Sequence, residues 1–159
     1  MTAEYNLDLV KKMYEALNAQ DLEAQHEFWH EDMIWHGPPG FGDIHGIEGF
    51  KYQVLAPFYS AFPDYHVHDD IQVANDDWVS ATGFLTGHQR GEWMGIAPTG
   101  NAVRMRYSDF WLVKDGKFSE NWVMVDDLGV LRQLGIDPLS TPVGIAPLRQ
   151  SGEGGATYA

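Results

Sequence analysis

Residues 103–126 read VRMRYSDFWLVKDGKFSENWVMVD, and this stretch decides the fold. Val103, Met105, Tyr107, Asp109, Trp111 and Val113 fall on alternate positions, and five of the six are apolar or aromatic. A period of two predicts a strand over 103–113 with one face buried. Residues 114–117, KDGK, predict a hairpin turn with Gly116 in the left-handed conformation. A second strand follows over 118–126, where Phe118, Glu120, Trp122, Met124 and Asp126 share one face.

Two more strands precede this pair. Residues 65–74 alternate, with Val67, Ile71 and Val73 on the expected inner face and His66, His68, Asp70 and Gln72 on the other. Asn75, Asp76 and Asp77 predict a hairpin turn into a strand over 78–89, and a Gly/Pro-rich loop spans 91–101. Upstream the period changes to 3.6. Leu7, Val10, Tyr14 and Leu17 predict a helix over 5–19, and Asp21 is a credible cap for a short helix over 22–29. Residues 33–36 read as a short strand stopped by Gly37-Pro38-Pro39-Gly40. A third helix spans 47–60, with Pro57 expected to end or kink it. A closing helical turn covers 128–134. Helices followed by four meander strands give an α+β class, in which a curved antiparallel sheet is wrapped by N-terminal helices. The result is a cone whose open mouth is the natural small-molecule site. Residues 1–136 form that domain. Residues 137–159, rich in Pro, Gly, Ser and Ala, are expected to be a flexible or loosely docked extension.

Composition narrows the function. The net charge of −13 argues against nucleic acid and against an anionic membrane surface. With no cysteine, disulfides, thiolate nucleophiles and zinc–thiolate sites are excluded. No apolar run approaches the roughly 18 residues of a membrane span, and no secretory leader shows, so a cytoplasmic protein is expected. His66 and His68 could chelate a metal, but they share the face opposite the apolar one, and no metal is expected. No nucleotide fingerprint or nucleophile elbow occurs. The chemistry left is acid/base work without a cofactor.

Asp109 sits among apolar inward positions, where burial should raise its pKa into the range useful for proton transfer. If alternation holds to the end of the last strand, Asp126 also faces inward, while Asp127 is free to cap the following turn. His36 and His45 flank the loop 37–44 and could polarise a carbonyl at the mouth. Trp35, Phe41, Phe50, Met105, Tyr107, Trp122 and Met124 are the candidate substrate walls.

Several stretches in order resemble one family: FWHEDMIWH at 28–36, HGIEGF at 45–50, AFPD at 61–64, GIAPTG at 95–100, DFWLVKDGKF at 109–118 and ENWVMVDDLGVLRQLG at 120–135. Together these resemble the SnoaL-like polyketide cyclases of the NTF2-like superfamily. The resemblance implies a cone-shaped α+β barrel and a homodimer or higher oligomer. It also implies a cofactor-independent cyclase, or an isomerase-type enzyme, acting on a small apolar or aromatic carbonyl compound. Ring closure by intramolecular aldol condensation is the implied reaction. The matching acid/base is Asp126, with Asp109, His36 or His45 assisting. A non-catalytic binder, or a hydrolase or dehydratase using the same pocket, is the alternative on this fold.

Overall fold

A computed structural model describes residues 1–138. Most of the expected extension at 137–159 therefore lies outside the described residues.

Helix α1 (Ala3–Asn18) starts at Thr2, whose hydroxyl accepts a hydrogen bond from the Tyr5 amide. Its buried stripe, Leu9, Val10, Met13 and Tyr14, follows the expected 3.6 period and packs over β3 and β4. The short α2 (Gln25–Phe28) runs directly into β1 (Trp29–His36), which is longer than the 33–36 expected, and β2 (Asp43–His45) overlaps the end of the predicted loop. Helix α3 (Ile47–Gly49) continues as a π-helical turn (Phe50–Leu55) and then as α4 (Ala56–Ala61). Pro57 does not break this segment. It sits in the first turn of α4, where the widened π turn before it absorbs the missing amide donor. The strands β3 (His66–Ala74), β4 (Trp78–His88), β5 (Ala102–Lys114) and β6 (Lys117–Val125) follow, and α5 (Asp127–Gln133) closes the fold.

The mixed α+β fold carries a curved six-stranded sheet in the order β2-β1-β6-β5-β4-β3. Neighbours are antiparallel except β1 and β6, which run parallel. The parallel pair arises because the helical segment carries the chain from β1 to the far edge of the sheet before the meander returns. Large aromatics fill the core: Trp29, Trp111, Phe62 and Phe118 are essentially inaccessible. Each side chain of this size contributes roughly 4 kcal/mol or more of apolar burial before its entropy cost is counted.

Two bulges reset which residues face the core. On β5 the expected parity holds, and Val103, Met105, Tyr107, Trp111 and Val113 are all buried. On β6 the pairing shifts between Val113↔Phe118 and Leu112↔Glu120, so Ser119 is an extra residue. Phe118 points inward as expected, but beyond the bulge Asn121, Val123 and Val125 face in while Trp122 and Met124 are exposed. On β3 the shift between Asp69↔Gly83 and Ile71↔Thr82 makes Asp70 the extra residue. Val67 is buried as expected, but Ile71 and Val73 are each 60% exposed. Gly83 is required opposite this bulge, because a Cβ there would collide with the His68 carbonyl oxygen.

Candidate active site

The concave face of the sheet and the helices enclose one deep cavity of about 430 Å³. This size suits a small organic ligand. Its exposed lining residues, Phe41, Gln53, Pro57, Glu92 and Met94, mark the mouth. Its buried lining residues, among them Tyr14, Trp29, Trp111 and Asn121, mark the closed end. Trp93 stacks edge-on against Phe62 at 5.5 Å, and a tight turn through Met94 and Gly95, both at positive φ, holds the rim. Gln89 is fully buried and ties that rim down by donating to the carbonyls of Ile96 and Ala97 and accepting from Thr99.

Of the expected site residues, Trp35, Phe41, Phe50, Met105, Tyr107 and Asp109 line the cavity. Trp122, Met124 and Asp126 do not, because the Ser119 bulge turned the end of β6 over. Asp126 is exposed and caps α5, its carboxylate accepting from the Gly129 amide at 2.8 Å. The inward acid is Asp127, the residue expected to cap. His36 and His45 also lie away from the cavity. His36 stacks on Trp122 at 4.6 Å on the outer face and bonds Asp43 at 3.0 Å and Glu120 at 3.2 Å. Burial alone would lower its pKa, but these two carboxylates outweigh that and raise it. His45 is exposed on β2.

Asp109 occupies the middle of β5, paired with Val123 of β6. Its Oδ1 is buried without a hydrogen-bond partner. Burial pushes its pKa up to about 8; the Asn121 amide opposes that rise, the charge of Asp69 adds to it, and the nearby Tyr14 hydroxyl opposes it. Asp69 reaches this region because it lies on the inner side of the β3 bulge, where it accepts the Tyr107 hydroxyl hydrogen bond. Asp127 is partly buried, with its own Oδ1 unpartnered, and burial, followed by repulsion from Asp126, raises its pKa. Four residue steps separate Asp127 from Val123, so the two inward carboxylates stand up to roughly 13 Å apart along the sheet. The ionisable groups of the lining are Glu92, Asp109, Asp127 and tyrosines, with no Lys, Arg or His among them. Such a wall repels anions and accepts neutral molecules.

Asn121, Asp127, Tyr14 and Trp111 had no place in the site read from sequence. Trp111 and Tyr14 carried signals of core periodicity alone, and Asn121 and Asp127 required knowledge of the bulge. Among the described residues no helix is long and apolar enough to cross a membrane, and no group of three or more His, Cys, Asp or Glu is placed to hold a metal ion.

Comparison with known proteins agrees with this architecture. Residues 8–134 match the family model described as SnoaL-like polyketide cyclase. Aklanonic acid methyl ester cyclase AcmA of Streptomyces galilaeus is 28% identical over 127 residues, covering 79% of this chain and 88% of that one. The structure of wild-type IdmH from Streptomyces antibioticus superposes with a TM-score of 0.71 at 31% identity, over 81% of this chain and 97% of that one. A SnoaL-like protein from Jannaschia sp. CCS1 shares the fold at a TM-score of 0.77 and 22% identity, over 86% and 95% of the two chains.

Proposed function

The chain belongs to the SnoaL-like polyketide cyclase family, and on that premise we propose that Asp109 is the acid/base of a ring closure on a neutral carbonyl compound held in the cavity. The observation that carries this reading is a buried carboxyl with an unpartnered oxygen on the wall of a chamber otherwise lined by aromatic and aliphatic side chains. Ionised Asp109 removes a proton from the carbon next to a carbonyl. The enolate carbon attacks a second carbonyl carbon of the same molecule and forms the new C–C bond. The alkoxide then takes the proton back from the Asp109 carboxylic acid, so the product is an isomer of the substrate. A carboxyl with a pKa of about 8 suits both halves of this cycle, because it is a stronger base than an ordinary carboxylate and an acid near neutral pH. The apolar wall keeps water from quenching the enolate.

The lining favours a ketone or ester over a free acid, because the three acidic side chains bordering the cavity have no cation among them. That the relative from Streptomyces galilaeus is named for a methyl ester supports the same preference. The test is solvent deuterium exchange at the α-carbon of 1-tetralone, followed by NMR. Asp109→Asn should slow the protein-catalysed exchange by on the order of 100-fold or more. Exchange that survives in Asp109→Asn and disappears in Asp127→Asn would move the acid/base role to Asp127. Survival in both variants would assign the role to another group of the cavity, and a wild type that does not accelerate exchange would leave the binding-protein alternative standing.

Assembly belongs to the same reading. The outer face of the sheet exposes Ile71, Val73, Trp78, Phe110, Trp122 and Met124 in adjacent registers, and a second copy of the chain is proposed to cover them. Arg104 and Arg106 stand at one end of that face and Glu120 at the other, so a two-fold arrangement brings opposite charges together.

A further inference from the structure

Among the described residues, six buried side-chain polar atoms have no hydrogen-bond partner: Asn6 Oδ1, Tyr14 Oη, Tyr59 Oη, Asp109 Oδ1, Trp111 Nε1 and Asp127 Oδ1. Five of the six belong to residues that line the cavity; Asn6 is the exception. Leaving one such group unsatisfied costs about 1–3 kcal/mol. Their concentration around one cavity is the pattern expected of a site whose ligand supplies the missing partners.

We propose that Tyr14 and Trp111 form a two-donor oxygen site at the closed end of the cavity, which holds the carbonyl or enolate oxygen of a ring ketone or ester beside Asp109. Trp111 is two residues from Asp109 on the same inward face of β5. Tyr14 comes from α1 opposite, and its ring meets those of Trp111 at 5.9 Å and Tyr107 at 6.0 Å, both edge-on. Trp111 is held on its other side by Phe118 at 5.7 Å. Both donors are thus fixed by packing before any ligand arrives. Each residue is more than nine-tenths buried, at 7% and 1% exposure. Burial first, and then the charge of Asp109, raises the Tyr14 pKa, so the hydroxyl remains a donor at neutral pH. It stands close enough to Asp109 and Tyr107 to hold both of their pKa values down, but neither contact reaches full hydrogen-bond geometry, so a ligand oxygen placed between them can accept its hydrogen bond. Asn121, the other buried donor here, is already shared among the carbonyls of Phe110 and Trp122 and the Asp109 carboxyl. In the ring closure, two donors on one oxygen would stabilise the charge that develops when Asp109 takes the neighbouring proton.

This inference rests on the carbonyl reading of the cavity, and its test is a binding experiment independent of turnover. The probes are 1-tetralone and tetralin, the same bicycle with and without the oxygen. The wild type should bind tetralone more tightly than tetralin, and the bound carbonyl stretch should shift to lower frequency. Tyr14→Phe keeps the ring and removes the hydroxyl; it should cut the preference by on the order of fivefold and leave tetralin affinity unchanged. The Trp111 indole N–H resonance should move downfield with tetralone and stay put with tetralin. An unchanged preference in Tyr14→Phe, an unmoved Trp111 N–H, or failure of the wild type to bind tetralone overturns the donor pair. Loss of the acid/base role would show separately, as α-exchange indifferent to Asp109→Asn with the tetralone preference intact.

Discussion

Asp109 holds its proton far more tightly folded than unfolded. Its pKa is about 8 in the protein against an ordinary 3.8. Between those values the folded chain keeps a proton that the unfolded chain has released, so this group makes stability fall as pH rises from about 4 to 8. Asp109→Asn removes the effect. The variant should unfold at higher urea than the wild type at pH 8 and at the same urea near pH 4. The gain at pH 8 should be on the order of 2–3 kcal/mol, discounted because the side chain faces the cavity rather than solid core. A variant less stable at pH 8 would contradict a desolvated carboxyl. The activity should run the other way, with the proton-abstraction rate of the wild type rising with pH and levelling above about 8, where Asp109 is ionised. At this scale the sequence was informative for one residue. An acid at the centre of five apolar inward positions could be read as a perturbed group from alternation alone. Tyr14 could be read only as a member of a helical stripe, because periodicity reports burial and says nothing of whether a hydroxyl finds a partner.

The strands themselves were legible, since alternation, hairpin turns and the change of period located every long one. What alternation could not report was Ser119 and Asp70, the single residues that the bulges insert. One inserted residue exchanges the two faces of everything that follows it, which is why Asp126, Trp122 and Met124 left the cavity and Asp127 and Asn121 entered it. The short β2 was equally hidden, because three residues of Asp-Ile-His carry no period to detect. The β3 bulge has a requirement that can be tested. Gly83 lies against the His68 carbonyl with no room for a methyl group. Gly83→Ala should therefore destabilise the fold by about 2–4 kcal/mol in chemical denaturation. Displacing the bulge should also free the Tyr107 hydroxyl from Asp69, visible as a changed tyrosine absorbance titration. An alanine variant of wild-type stability would mean that the bulge does not depend on this contact.

For the molecule as a whole, two properties pull in opposite directions. Its outer sheet face presents Ile71, Val73 and Met124, each 60% exposed, together with Phe110 at 52%, while its net charge is −13. Apolar contact favours pairing of two copies through that face, and the shared charge opposes it. Treated as point charges about 30 Å apart, two such molecules repel by roughly 8 kcal/mol at 10 mM salt and by about 1 kcal/mol at 100 mM, where the screening length is near 10 Å. Ion pairs at the rim between Arg104 or Arg106 and Glu120 of a second copy would contribute less than about 1 kcal/mol each, so the net repulsion sets the sign. Dimerisation through this face should therefore strengthen as salt rises from 10 to 100 mM, by at least an order of magnitude in the dissociation constant measured by analytical ultracentrifugation. Met124→Asp adds a charge to the centre of the face without touching the cavity wall. It should abolish the dimer at either salt concentration and leave tetralone binding intact. A dimer that weakens with salt, or one that survives Met124→Asp, would place the contact elsewhere on the surface.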